Sequence, residues 1–259
     1  MPFEGWIDVV GDLVTRQARK VSRRRILGWI TQTTAAVGGL AIGLPGRAVA
    51  AVGDPQGGRV IKPASQVHDV LFGAPRDAVA LTIDDGPDPL WTPRMLDLLH
   101  RNGIRATFSL IGAQAHAHPD LVKRIVAEGH GVVNHSMTHP QPFSGREPGA
   151  IRQQITNAQS AIADAGGMAP TLFRSPGGDW SAGVLSTVQA LRMVPLGWDV
   201  DPRDWSRPGT ALVTHRLLTA RAGDILLCHD GGGNRAETLE SLRTVLPTLK
   251  GRGLQFVTL

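Results

Sequence analysis

From Ala78 onward, short runs of β-branched and apolar residues alternate with longer stretches whose apolar positions recur at helical spacing. The runs predict strands at Val79–Ile83, Ala106–Ile111, Gly131–Asn134, Thr171–Phe173, Met193–Gly197, Asp224–Cys228 and Gln255–Thr258. The stretches between them predict helices near 92–102, 119–128, 150–165, 182–191, 209–221 and 236–249. Such regular alternation argues for a parallel sheet with helices outside it. Seven strands suit an incomplete α/β barrel or an open doubly wound sheet. No Gly-x-Gly-x-x-Gly follows the first strand, which counts against a dinucleotide-binding version.

Polar residues gather where these strands end. Asp84 and Asp85 follow the first, His135 the third and Arg174 the fourth; Asp201 and Asp204 follow the fifth, and His229 closes the sixth. Parallel α/β barrels build their active sites from the carboxyl ends of several strands. Five strand ends delivering ionisable groups to one rim therefore predict a catalytic face.

Charge adds little to the domain and much to the leader. The net charge is +5, but residues 1–50 hold seven of the 27 basic side chains and three of the 22 acidic ones, leaving a balance of only +1 for the remainder. A nucleic-acid partner is not expected, since such domains are basic where they bind. Arg16, Arg19, Lys20, Arg23, Arg24 and Arg25 precede a mild apolar run from Ile26 to Leu44, and Ala48-Val49-Ala50 offers a small-residue cleavage pattern. Ser22-Arg23-Arg24-Arg25-Ile26-Leu27 resembles a twin-arginine export signal. Gly28, Gly38, Gly39 and Gly43 dilute the run, whereas a stable span wants about 20 predominantly apolar residues. We expect residues 1–50 to be a twin-arginine-type signal peptide, with an uncleaved membrane anchor as the alternative, and 51–77 to be a linker and approach to the domain. The product would be secreted or wall-associated, with no stable span after cleavage. A single cysteine, Cys228, excludes an internal disulfide framework and a cysteine zinc cluster; it sits in an apolar strand and reads as core. No tyrosine is present, so no phenol takes part in the chemistry.

His135 and His139, spaced i, i+4, put two imidazoles on one side of a helical turn or compact loop. With a carboxylate from a neighbouring strand end they form a two-histidine, one-carboxylate set that leaves coordination positions open, as hydrolytic zinc sites do. Non-haem iron uses the same ligands. Asp84 and Asp85 are adjacent carboxylates, which repel unless a cation lies near, and Gly86-Pro87 turns the chain sharply after them. A hydrolase needs one carboxylate for the ion and another to take a proton; an oxygenase needs only the first.

Thr82-Ile83-Asp84-Asp85-Gly86-Pro87 resembles the opening motif of the polysaccharide deacetylases, or NodB-homology domain (carbohydrate esterase family 4). The family's other motifs follow in order: Asn134-His135-Ser136-Met137-Thr138-His139, Arg174-Ser175-Pro176-Gly177-Gly178, Asp201-Pro202-Arg203-Asp204-Trp205 and Leu227-Cys228-His229-Asp230. The resemblance implies an α/β fold, a distorted seven-stranded, TIM-like (β/α) barrel forming a single catalytic domain over 78–259. It implies a metal-dependent hydrolase removing N-acetyl groups from N-acetylglucosamine-type glycans such as peptidoglycan or chitin oligomers. The alternatives are an O-acetyl (xylan-type) esterase and an inactive wall-binding protein. By the same resemblance, Asp85, His135 and His139 would hold one divalent ion, with zinc favoured and cobalt or nickel able to replace it. Asp84 would be the base, Arg174 would orient it, and His229 would be the acid with Asp204 beside it. Trp205 and Leu227 would shape a small pocket for the acetyl methyl. Gly177 stands where many members carry tyrosine, whose backbone N–H serves the oxyanion; glycine keeps that donor but changes the wall. A monomer is expected.

Other residues carry open or plain readings. Trp180 reads as a sugar platform or a structural ring, and Trp91 and Trp198 as rim or filler. Gly231-Gly232-Gly233 reads as a flexible loop. His68, His100, His116, His118, His130 and His215 read as surface or loop residues.

Overall fold

The computed structural model describes residues 62–259. The expected signal peptide at 1–50, and the expected linker as far as residue 61, lie outside the described residues. Seven parallel strands carry the domain: β1 Ala78–Asp84, β2 Thr107–Leu110, β3 Gly131–Asn134, β4 Leu172–Phe173, β5 Val194–Pro195, β6 Ile225–His229 and β7 Gln255–Phe256. The helices are α1 Val67–Val70, α2 Trp91–Asn102, α3 Gly112–Ala117, α4 Pro119–Ala127, α5 Pro148–Gly166, α6 Ala182–Ala190, α7 Thr210–Leu217 and α8 Ala236–Gly251. Local chemistry sets their ends. Pro119 and Pro148 open α4 and α5 at positions whose N–H has no helical partner, and Gly103 and Gly167 close α2 and α5 in the left-handed conformation.

The strands run β5-β4-β3-β2-β1-β6, with β7 paired to the start of β1. The ring closes irregularly. Beyond β5 the chain swings across to β6, where Val200 bridges Leu226 and Leu227 N–H donates to Val200 C=O at 2.9 Å. Lower on the same seam, residues read as a linker are part of the wall: Ala64 bridges Leu196, Gln66 bridges Asp224, and Val67 N–H donates to Gly223 C=O at 2.7 Å. The fold is thus the distorted seven-stranded α/β barrel, not the open sheet.

Every residue of β1 is buried, as befits a central parallel strand covered on both faces. Its alternate residues serve different layers. Val79, Leu81 and Ile83 join the large cluster with Leu96, Leu99, Leu242 and Leu246 under the helices. Ala78 and Ala80 join Val133, Leu172, Leu196 and Ile225 in a second cluster with small side chains. Continuing by period two, that inward column ends in Thr82 and Asp84, so it turns from apolar to polar as it nears the carboxyl end.

Candidate active site

Asp84 is the last residue of β1, and two adjacent strand residues normally point to opposite faces. Asp85 escapes this by taking a φ of 76°, a left-handed conformation that aspartate tolerates better than most non-glycine residues. Two glycines let the flanking loops meet: a Cβ on Gly86 would collide with the Asp230 carboxylate, and one on Gly231 with the Asp85 carbonyl. Gly231 is therefore a close-contact residue beside the site, buried rather than part of a free loop.

His135 and His139 share a compact loop after β3, not a helix. His139 has φ 52° and its N–H donates to Ser136 Oγ at 3.1 Å, which turns the two rings to within 4.9 Å of each other. Both Nε2 atoms lie 3.5 Å from Asp85 Oδ1. One ligand atom from each of the three side chains lies within 4.8 Å of the others. Two observations test whether the trio fits a cation. Asp85 Oδ1 is buried and accepts no hydrogen bond, a costly state for a carboxylate oxygen without a cation. His135 Nδ1 lies 2.8 Å from the Arg174 carbonyl, so Nδ1 carries the proton and Nε2 presents its lone pair toward Asp85, the arrangement of metal-ligating histidines. The residues fit a divalent ion.

Arg174 follows β4 and is wholly buried. Its Nη1 donates to Asp84 Oδ1 at 2.7 Å and to Thr82 Oγ1 at 2.8 Å, its Nη2 donates to Gly197 C=O at 2.8 Å, and its guanidinium lies 5.5 Å from the Trp198 ring centroid. A planar fork fixed at three partners is what arginine offers and lysine does not. Asp84 is left with Oδ2, 3.6 Å from His135 Nε2.

The sixth strand supplies His229, whose Nδ1–H donates to Asp204 Oδ1 at 2.7 Å. Asp204 Oδ2 accepts from His229 N–H at 2.9 Å and Thr238 Oγ1 at 2.8 Å, so this buried carboxylate is fully engaged. Burial works against a charge on His229. The bond to Asp204, with the negative Asp85 and Asp84 nearby, outweighs it and pushes the imidazolium pKa up to about 9. Asp85 is likewise disfavoured as an anion by burial, yet the histidines around it hold it well below the usual carboxylate range.

Other residues fall as follows. Asp201 accepts from Arg203 N–H at 2.7 Å, shaping the turn that precedes Asp204. Trp205 is 49% exposed with the Arg203 guanidinium 5.5 Å from its ring centroid, while Leu227 is buried in β6. Trp180 is structural: its ring stands edge-on to Phe173 at 5.9 Å. Trp198 fills space between Arg174 and Gly178. Cys228 is buried core, and burial pushes its thiol pKa up. His130 corrects its surface reading: it is buried, stands edge-on to Phe108 at 5.3 Å, and its Nδ1 accepts from Ala106 N–H at 3.0 Å.

Thr238 escaped the sequence reading, and Thr82 and Asp230 fall inside its motifs with no role given to them. Period two along β1 could have paired Thr82 with Asp84. Asp230 is wholly buried behind Gly86, accepts from Thr92 Oγ1 at 2.5 Å, and burial raises its pKa to about 7.

The polysaccharide deacetylase family model matches residues 73–196. Peptidoglycan-N-acetylglucosamine deacetylase of Bacillus cereus is 39% identical over 183 residues, covering 70% of this chain and 85% of that protein. Chitooligosaccharide deacetylase of Sinorhizobium fredii is 42% identical over 194 residues, 70% of this chain and 88% of that one. The solved family 4 carbohydrate esterase from Streptomyces lividans, in complex with acetate, superposes with a TM-score of 0.64 at 36% identity, over 68% of this chain and 90% of that one. With these relatives spanning most of their own length on a shared barrel, the chain belongs to the polysaccharide deacetylase family, the hydrolases of carbohydrate esterase family 4.

Proposed function

We propose that the protein removes N-acetyl groups from N-acetylglucosamine-containing glycans, using one divalent ion at Asp85, His135 and His139. Zinc is the ion that best suits two imidazoles and a carboxylate in an open site. When bound, it supplies Lewis acidity to the acetamide carbonyl and to the hydrolytic water. Asp84, aimed by Arg174, takes a proton from the water as its oxygen bonds to the acyl carbon. His229 gives its proton to the sugar nitrogen as the C–N bond breaks, leaving acetate and a free amine. Trp205 and Leu227 are assigned to the wall around the acetyl methyl, and the backbone N–H of Gly177 to the oxyanion.

The observation that carries this reading is the separation of tasks. Asp84 is gripped by Arg174 outside the ligand trio, while His229 is kept protonated by Asp204. Amide nitrogens leave poorly without a proton, and a His229 kept protonated by Asp204 meets that need. The names of the relatives from Bacillus cereus and Sinorhizobium fredii support the same substrate class. We further propose that residues 1–50 direct export by the twin-arginine route; among the described residues, no helix is long and apolar enough to cross a membrane.

Acetate release by the zinc-loaded full chain from chitin oligomers, peptidoglycan and acetylated xylan tests the assignment. Asp84→Asn should still bind zinc, by calorimetry, but lose about 10²- to 10⁴-fold in turnover. His135→Ala should lose both. A fully active Asp84→Asn removes the base assignment, and release from xylan alone removes the N-acetyl substrate.

A further inference from the structure

Gly177 is exposed and lies in the left-handed region with φ 63°. A Cβ built there would stand 3.0 Å from Gln141 Nε2. The next glycine is met by a different side chain, since a Cβ on Gly178 would stand 2.6 Å from Trp198 Cη2. The turn after Arg174 therefore lies beside side chains from two other strand-end loops.

Gln141 belongs to the loop that carries His139, two residues earlier. That loop is anchored just beyond it. Phe143 and Ser144 N–H both donate to Asp179 Oδ2 at 2.8 Å, and the Phe143 ring is buried 5.8 Å from that of Phe173. Fixed near both ends, the loop presents an exposed carboxamide beside the Gly177 backbone. A carboxamide offers N–H and C=O groups, which suit a hydroxyl-rich ring.

We propose that Gln141 is a specificity-determining residue of this enzyme: beside the exposed Gly177 it forms part of the site's wall, and donates from Nε2 to an oxygen of the sugar that bears the acetamide. The proposal rests on the deacetylase reading above. It ties recognition of that sugar to the same loop that supplies His139.

The test uses the zinc-loaded full chain and two substrates, the N-acetylglucosamine tetramer and p-nitrophenyl acetate, which carries an acetyl group but no sugar. The readout is the ratio of kcat/KM for the tetramer to that for the aryl ester. Gln141→Ala should lower this ratio about 2- to 13-fold, the range for losing one neutral hydrogen bond. Gln141→Glu keeps the length but removes the donor, and should lower it further. Thermal melts equal to wild type establish that these surface variants fold. An unchanged ratio, whether because neither rate moves or because both fall together, overturns the proposal. A wild-type protein that cleaves the aryl ester and releases nothing from the tetramer overturns the deacetylase reading itself, and Gln141's role with it.

Discussion

A histidine whose pKa is raised on folding links stability to pH in one direction. His229 goes from an ordinary value near 6.5 in the unfolded chain to about 9 in the fold. Its contribution is complete below about 6.5 and is lost as pH rises through about 9. The shift is worth on the order of 3 kcal/mol, less whatever solvent reaches the ring. In zinc-free protein the melting temperature should therefore fall by several degrees from pH 6.5 to 9.5. Asp204→Asn should flatten that dependence and move the alkaline limb of kcat/KM downward; a limb that stays put would assign it to another group. At this scale the sequence was most legible where a motif states a residue's neighbours. The clasp of His229 by Asp204 and the reach of Arg174 to Asp84 are both as the family resemblance implies. It was least legible where the partner is backbone or lies across the barrel. The Gly197 carbonyl on Arg174, and Thr238 on Asp204, carry no sequence mark because any residue has a carbonyl and α8 has several hydroxyls.

Among the elements, order and type could be read from hydrophobic pattern, and extents could not. Met193–Gly197 yields a ladder of only two residues, Val194–Pro195, because the chain beyond leaves β4 to reach β6. Helix α3 escaped because six residues with few apolar positions show no helical period. Its one signal is Gly112. A Cβ there would stand 2.7 Å from both the Ala158 Cα and Met137 Sδ, so glycine lets α3 lie directly on α5. Gly112→Ala should cost about 1–3 kcal/mol as overpacking, read as a lower melting temperature. Met137 lies between His135 and His139, the ligands proposed for the ion, so zinc affinity should fall as well. Unchanged affinity would mean that the loop holds its shape without α3.

For the whole molecule, the outcome hinges on closure. Sequence alternation could not choose between an open sheet and a barrel, because both use the same strands; the choice is made by the seam between β5 and β6. Val67, wholly buried there, should cost about 1.5–3 kcal/mol on replacement by alanine, measured by denaturant unfolding. The seam also has a temporal meaning. Gln66 and Val67 find their partners at Asp224 and Gly223, more than 150 positions later in synthesis. During translation the early stave has nothing to lean on until nearly the whole chain has emerged. The hoop is fastened between a segment that opens the described domain and one late in it, so a nascent chain lacking Gly223 and Asp224 is an unsealed horseshoe.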